Sequence, residues 1–148
     1  PLNTINTLID MGASITMAKG AIDAGLENAI AIIGDSTFTH SGMTGLLDAV
    51  YENTPITVII SDNSAIAMTG GQDSTAVGRL EKICVGLGVD PNHVKTIVPL
   101  KKNHNDNVNL LRNEINYKGV SVIISERPCV RLSRNKKEEI KSIIASLN

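Results

Sequence analysis

The chain has 148 residues, a net charge of −1, 42% hydrophobic residues and 20% charged residues. That length suits one domain with one sizeable core, and that composition excludes a disordered chain. A near-neutral charge excludes a nucleic-acid binder driven by counterion release. With one Phe, two Tyr and no Trp, a base-stacking surface is excluded as well, and the core must be aliphatic.

No apolar run approaches the roughly 20 residues needed to span a bilayer, and the first residues do not read as a signal peptide. Neither a membrane nor nucleic acid is expected as a partner, and a cytoplasmic location is expected. Cys84 and Cys129 lie far apart in no Cys-x-x-Cys spacing, as buried free thiols would. His40, His93 and His104 show no zinc-type spacing.

Taken in order, residues 1–10 carry no clear pattern. Met11-Gly12-Ala13-Ser14 opens a helix whose apolar positions are Ile15, Ala18, Ile22 and Leu26, loosened at its end by Gly25. Gly12 and Ser14 stand where backbone N–H groups could face an anion; Ser14 could equally be a simple cap. Ala29 to Ile33 is apolar throughout and predicts a strand buried on both faces.

The loop Gly34-Asp35-Ser36-Thr37-Phe38-Thr39-His40-Ser41-Gly42 follows, then a helix from Met43 to Asn53 with Leu46, Leu47 and Val50 inward. Ile56 to Ile60 is the second strand, and a second polar loop runs from Ser61 to Asp73. Ser74 is expected to cap a helix with Val77, Leu80, Cys84 and Leu87 on one stripe. Val94 to Val98 is a third strand. A helix with Val108, Leu111 and Ile115 on one face follows, and Val120 to Ile124 is a fourth strand. In the charged segment from Arg131 to Glu139, the basic run Arg131, Arg134, Lys136 and Lys137 reads as a solvated face, with a docking surface for a neighbouring domain as the lesser reading. The segment leads into a last helix with Ile140, Ile143, Ile144 and Leu147 inward.

This alternation predicts an α/β fold: a three-layer α/β/α arrangement around a mostly parallel sheet, in a single domain over residues 1–148. Ligands of such sheets bind beyond the carboxyl ends of the strands. Both special loops follow strands, so both fall on that edge.

Their chemistry suits a metal-bound diphosphate. Mg²⁺ prefers six oxygens at roughly 2.0–2.1 Å and takes few of them from protein. Asp35 offers a carboxylate, Asn63 an amide oxygen, and the backbone nearby a carbonyl. Gly34 lets the chain turn, and Ser36, Thr37 and the N–H groups near Gly42 can donate to phosphate. Thr69-Gly70-Gly71-Gln72 is a turn with hydrogen-bonding side chains at both ends. Asp62 reads as a structural hydrogen-bonder rather than a ligand. Phe38 either walls the pocket or packs under the loop; His40 either contacts the ligand or is satisfied by backbone.

Gly34-Asp35-Ser36, then some two dozen residues, then Asp62-Asn63, resembles the motif of thiamine-diphosphate enzymes, usually Gly-Asp-Gly followed by Asn-Asn. The longer match, Gly34 to Phe38 with His40-Ser41-Gly42, then Asp62-Asn63-Ser64 with Ala67 to Gln72, resembles the large subunit of the indolepyruvate:ferredoxin oxidoreductase family. Met11 to Ile15, Ile123-Ile124-Ser125 and Arg127-Pro128-Cys129 fit the same family.

The resemblance implies a thiamine-diphosphate-binding fold, with Mg²⁺ held by Asp35, Asn63 and the Ala65 carbonyl. Ser36 and Thr37 would contact the diphosphate. Ile66, Met68 and Thr69 would lie near the thiazolium or substrate, and Met11, Gly12 and Ser14 would approach the cofactor from the first helix. It also implies oxidative decarboxylation of an aryl 2-oxoacid to an acyl-CoA, with iron–sulfur clusters, coenzyme A, a second subunit and ferredoxin supplied elsewhere in the complex.

Ser36 and Asp62 depart from the general motif in ways usual for the ferredoxin-linked branch. The family's cysteine-rich ferredoxin-like segment has no counterpart here, so the chain reads as one module of a larger enzyme. The carboxylate that activates the cofactor is expected in a separate pyrimidine-binding domain. No catalytic residue is therefore assigned, and the isolated chain is expected to bind Mg²⁺–thiamine diphosphate weakly or not at all and to turn over no substrate. A domain of a non-oxidative thiamine-dependent decarboxylase or synthase, and a non-catalytic phosphate-binding or subunit-interaction module, are the alternative readings.

Overall fold

The computed structural model describes residues 5–66, 72–130, 132 and 134–147. Its centre is a four-stranded sheet, all parallel, formed by β1 (Ala29–Gly34), β2 (Ile56–Asp62), β5 (Val94–Ile97) and β6 (Ser121–Glu126), in the order β1-β2-β6-β5. Two short strands, β3 (Ala65–Ile66) and β4 (Gln72–Asp73), pair antiparallel beside it.

The helices are α1 (Ser14–Asp23), α2 (Asp35–Thr37), α3 (Met43–Tyr51), α4 (Leu80–Gly86), α5 (His104–Ile115) and α6 (Arg134–Leu147). A π-helical turn, Phe38–Gly42, joins α2 to α3 without a break. None of the described helices is long and apolar enough to cross a membrane.

One face of the sheet holds the core. Ala31 and Ile33 of β1 lie in register with Val58 and Ile60 of β2, which lie in register with Val122 and Ile124 of β6. These side chains pack with Ile15 and Ala18 of α1, Leu46 and Ala49 of α3, and Leu80 and Cys84 of α4. Burial pushes the Cys84 thiol up to about 12, and Glu81 adds to the shift, so this cysteine is inert at neutral pH.

The opposite face is covered by α5, which packs on β2 and β6. It does not extend over β1, the edge strand. Ile30 and Ile32 are therefore 47% and 59% exposed, which corrects the expectation of burial on both faces. An apolar run cannot report strand order, and an edge strand keeps a neighbour on one side only.

Other departures share this tertiary origin. Leu46 of α3 is buried as expected, but Leu47 is exposed and Ala49 is buried in its stead. The helix expected from Ser74 begins at Leu80, after a run of turns. In α5 the fully buried residue is Glu114, while Val108, Leu111 and Ile115 are only half-buried. In α6 Ile140 is buried and Ile143 is 40% exposed. Leu26 lies beyond the end of α1 and is exposed.

Candidate functional site

The two loops meet because their strands pair in register. Gly34 at the end of β1 lies opposite Ser61 of β2. Asp35 and Asp62 are the next residues on each chain, near enough for the Asp35 charge to push the Asp62 carboxyl up. Asp35 opens α2 directly from Gly34, whose backbone is extended at φ −77° and ψ 152°.

Asp35 is 2% exposed. Its burial raises the carboxyl pKa, opposed by hydrogen bonds from the Ser74 hydroxyl and the Ser36 backbone N–H. Its Oδ2 is buried with no hydrogen-bond partner among the described residues. Ser14 Oγ is the other buried side-chain atom in that condition. Buried polar atoms are nearly always paired, so two orphans in one small chain call for an explanation. Both belong to residues that the family resemblance implies lie near the cofactor.

The turn before α1 reaches the same place. Gly12 sits at φ +102°, where an added Cβ would meet Ser41 Oγ at 2.3 Å and Thr37 Cγ2 at 3.8 Å. Only glycine permits both that backbone and that approach. Met11 is exposed, and Gly12 and Ser14 are half-buried. Ser14 makes no side-chain capping bond, so the reading of it as a simple cap is not borne out.

The π-turn arranges the rest of the first loop. Thr39 Oγ1 donates to the Ser36 carbonyl at 3.1 Å and lies 3.4 Å from Thr75 Oγ1. Ser36 and Thr37 are half-buried and His40 is exposed. Phe38 is fully buried in the hydrophobic core, so it packs beneath the loop rather than walling a pocket. Gly42 is buried too: a Cβ there would meet Ile33 Cδ1 at 2.8 Å and Phe38 Cδ2 at 3.0 Å. Its lack of a side chain serves close packing. π-turns of this sort are enriched at functional sites.

In the second loop Asn63 Oδ1 accepts the Ala65 N–H at 3.0 Å. An amide oxygen has two lone pairs, so one remains for a cation. Asp62 is 6% exposed. Its Oδ1 accepts the Ser64 N–H at 2.8 Å and the Ser64 hydroxyl at 3.4 Å. Its pKa is pushed up to about 6, chiefly by burial, with the charges of Asp35 and Glu126 adding to it. Ala65 is buried, Ile66 half-buried and Gln72 exposed. Met68, Thr69 and Gly70 lie outside the described residues.

Sequence reasoning missed the hydrogen bond from Ser74 to Asp35. Ser74 reads as a helix cap, but its Oγ accepts the Ala76 N–H at 3.2 Å and its hydroxyl bonds to Asp35. Nothing local in the sequence marks a contact spanning the interval from Asp35 to Ser74.

Among the described residues no three His, Cys, Asp or Glu side chains form a metal cluster. A site with one carboxylate, one amide oxygen and one carbonyl would not register as such a cluster. That donor set fits a hard divalent cation whose remaining ligands are phosphate oxygens and water.

Comparison with known proteins agrees with this chemistry. Residues 1–124 match the family described as thiamine pyrophosphate enzyme, C-terminal TPP binding domain. The indolepyruvate oxidoreductase subunit IorA of Archaeoglobus fulgidus is 36% identical across 97% of this chain, which covers 24% of that subunit. The same subunit of Pyrococcus horikoshii is 29% identical across 93% of this chain and 25% of its own length. The chain thus spans about a quarter of these relatives. Among solved structures, the 2-oxoglutarate:ferredoxin oxidoreductase of Magnetococcus marinus, with 2-oxoglutarate, coenzyme A and succinyl-CoA bound, superposes with a TM-score of 0.66. At 16% identity, over 83% of this chain and 47% of that one, the likeness shows the fold alone.

Proposed function

Because this chain belongs to the thiamine pyrophosphate enzyme C-terminal TPP-binding domain family, we propose that it is the metal-and-diphosphate half of the thiamine site in a 2-oxoacid:ferredoxin oxidoreductase of the indolepyruvate type. The observation that carries this reading is the buried, unpartnered Oδ2 of Asp35 beside the Asn63 turn. Leaving a buried carboxylate oxygen unpaired is costly, and a divalent cation offsets that cost.

In this reading Asp35, Asn63 and the Ala65 carbonyl hold Mg²⁺. Ser36 and Thr37, with the backbone N–H groups of the turn after β1, take the diphosphate. The Gly12 turn lets the chain before α1 approach the same loop without a clash, and Ser14 Oγ supplies a further polar contact to the cofactor. Thiamine diphosphate, when bound, would supply an electron sink for the electron pair left behind as a 2-oxoacid loses carbon dioxide. This chain's part is to hold and orient the diphosphate end; ionisation of the cofactor falls to a carboxylate of a pyrimidine-binding domain. An aryl pyruvate as substrate, an acyl-CoA as product, iron–sulfur clusters elsewhere in the complex, a second subunit, and ferredoxin as acceptor belong to the same reading, in the cytoplasm.

Calorimetric titration of the assembled protein with thiamine diphosphate, with and without Mg²⁺, tests it. Binding that requires Mg²⁺ and is lost in Asp35→Ala is the expected result. Binding of equal strength without the metal, or unchanged in Asp35→Ala, would sink the assignment.

A further inference from the structure

Asp62, Asn63 and Ser64 form two overlapping side-chain turns. Asn63 Oδ1 takes the Ala65 N–H, and Asp62 Oδ1 takes the N–H and hydroxyl of Ser64. Backbone bonds anchor the first two residues from the segment after β6. The Arg127 N–H donates to the Asp62 carbonyl at 2.9 Å, and the Cys129 N–H donates to the Asn63 carbonyl at 2.9 Å. Ala65 and Ile66 pair with Asp73 and Gln72 in the β3–β4 ladder.

Ser64 stands between these two anchors. It is 2% exposed and left-handed at φ +59°, a conformation that disfavours residues with a Cβ. Its buried N–H needs a partner, and that partner is the Asp62 carboxylate.

We propose that Asp62 is the positioning residue of the cation site: its hydrogen bond to the Ser64 N–H holds Ser64 left-handed and so sets how Asn63 and Ala65 are presented. Its Oδ1 is engaged by Ser64, and the role proposed for the carboxylate is this tether, not coordination. This role rests on the reading of Asn63 and Ala65 as cation ligands. It requires an acceptor oxygen at position 62, not a negative charge, and this separates it from direct coordination.

The test is Mn²⁺ affinity, read by paramagnetic resonance in the assembled protein with thiamine diphosphate present, beside the melting temperature of each variant. Asp62→Asn keeps the acceptor and is expected to bind within about threefold of the parent, whereas Asp62→Ala is expected to bind about tenfold or more weakly. Adding Ser64→Gly to Asp62→Ala is expected to recover part of the loss, because glycine takes the left-handed backbone without a tether.

Equal weakening by Asn and Ala would overturn the proposal in favour of a charge or ligand role. Unweakened binding in Asp62→Ala would overturn it outright. Should Asp62→Ala not fold, the Asp62→Ala/Ser64→Gly variant takes its place and must bind more weakly than Asp62→Asn. Asp35→Ala runs in parallel. If it leaves Mn²⁺ binding intact, the site reading itself fails; if it abolishes binding while Asp62→Ala does not weaken it, only the positioning role falls.

Discussion

At the amino end of the sheet Glu114 of α5 is 6% exposed. Its carboxylate meets His93 Nδ1 at 2.9 Å, and the His93 ring stacks on Tyr117. The Glu114 carbonyl accepts the Thr57 hydroxyl at 3.3 Å. At the carboxyl end Asp35 is buried more completely, with one oxygen unpartnered, and Asp62 lies near enough to repel it. Glu114 sits among groups that satisfy it, so its burial stabilises a local junction. Asp35 has Ser74 and Ser36 as donors, but its Oδ2 has no partner among the described residues, so its burial carries a cost that a cation could relieve. A buried carboxylate thus reads as structure or as site according to its partners, not its depth.

The comparison makes opposite predictions for the two ends. Asp35→Ala should lower cation-dependent thiamine diphosphate affinity by about a hundredfold or more, as expected when the single carboxylate ligand of a divalent ion is lost. Calorimetry checks this, and Glu114→Ala should leave the same affinity unchanged.

Stability should move the other way. Glu114→Ala strands His93 and removes a buried partner, which should cost about 2–3 kcal/mol in urea unfolding. Asp35→Asn removes a desolvated charge and should stabilise the metal-free protein by about 1 kcal/mol. A destabilised Asp35→Asn protein would show that Asp35 is satisfied in ways its geometry does not reveal.

The backbone offers a comparison of intermediate size. Gly12→Ala forces a Cβ to 2.3 Å from Ser41 Oγ at a left-handed φ. It should cost about 1–2 kcal/mol and weaken cofactor binding together with stability. Gly20 of α1 has nothing within 4 Å of an added Cβ, so Gly20→Ala should stabilise by about 0.5–1 kcal/mol through helix propensity.

The smallest expected effect is on pH dependence. The Asp62 pKa is raised from 3.8 to about 6, so between these values the folded state binds more protons than the unfolded one. The contribution of this group to stability is present below its unfolded pKa and is lost as pH rises through about 6. The melting temperature of the metal-free protein should therefore fall across that window, and saturating Mg²⁺ should flatten the fall. Asp62→Asn, which cannot titrate, should lose the slope.

Much of the architecture was legible along the chain. Apolar runs of strand length between amphipathic runs marked all four strands of the main sheet, because a parallel sheet needs that alternation. Gly34-Asp35 and Asn63 could be read as one site because each follows a strand, and parallel strands end on the same edge.

Other features were illegible for a common reason. Exposure of Ile30 and Ile32 depends on β1 lying at the sheet edge. Burial of Phe38 depends on a π-turn that rotates it under the loop. The contact from Ser74 to Asp35 depends on a segment returning after β4.

What the sequence by itself determined is the order of elements, the sheet edge on which both polar loops fall, and the side-chain types gathered there. These follow from periodicity and from side-chain chemistry, which are properties of neighbours along the chain. Tertiary structure alone decided which buried polar atoms are left unsatisfied: Glu114 finds His93, and Asp35 Oδ2 finds no partner among the described residues. Satisfaction of a buried polar atom is a contact between distant residues, so it exists only once the strands have paired and the loops have been brought to one edge.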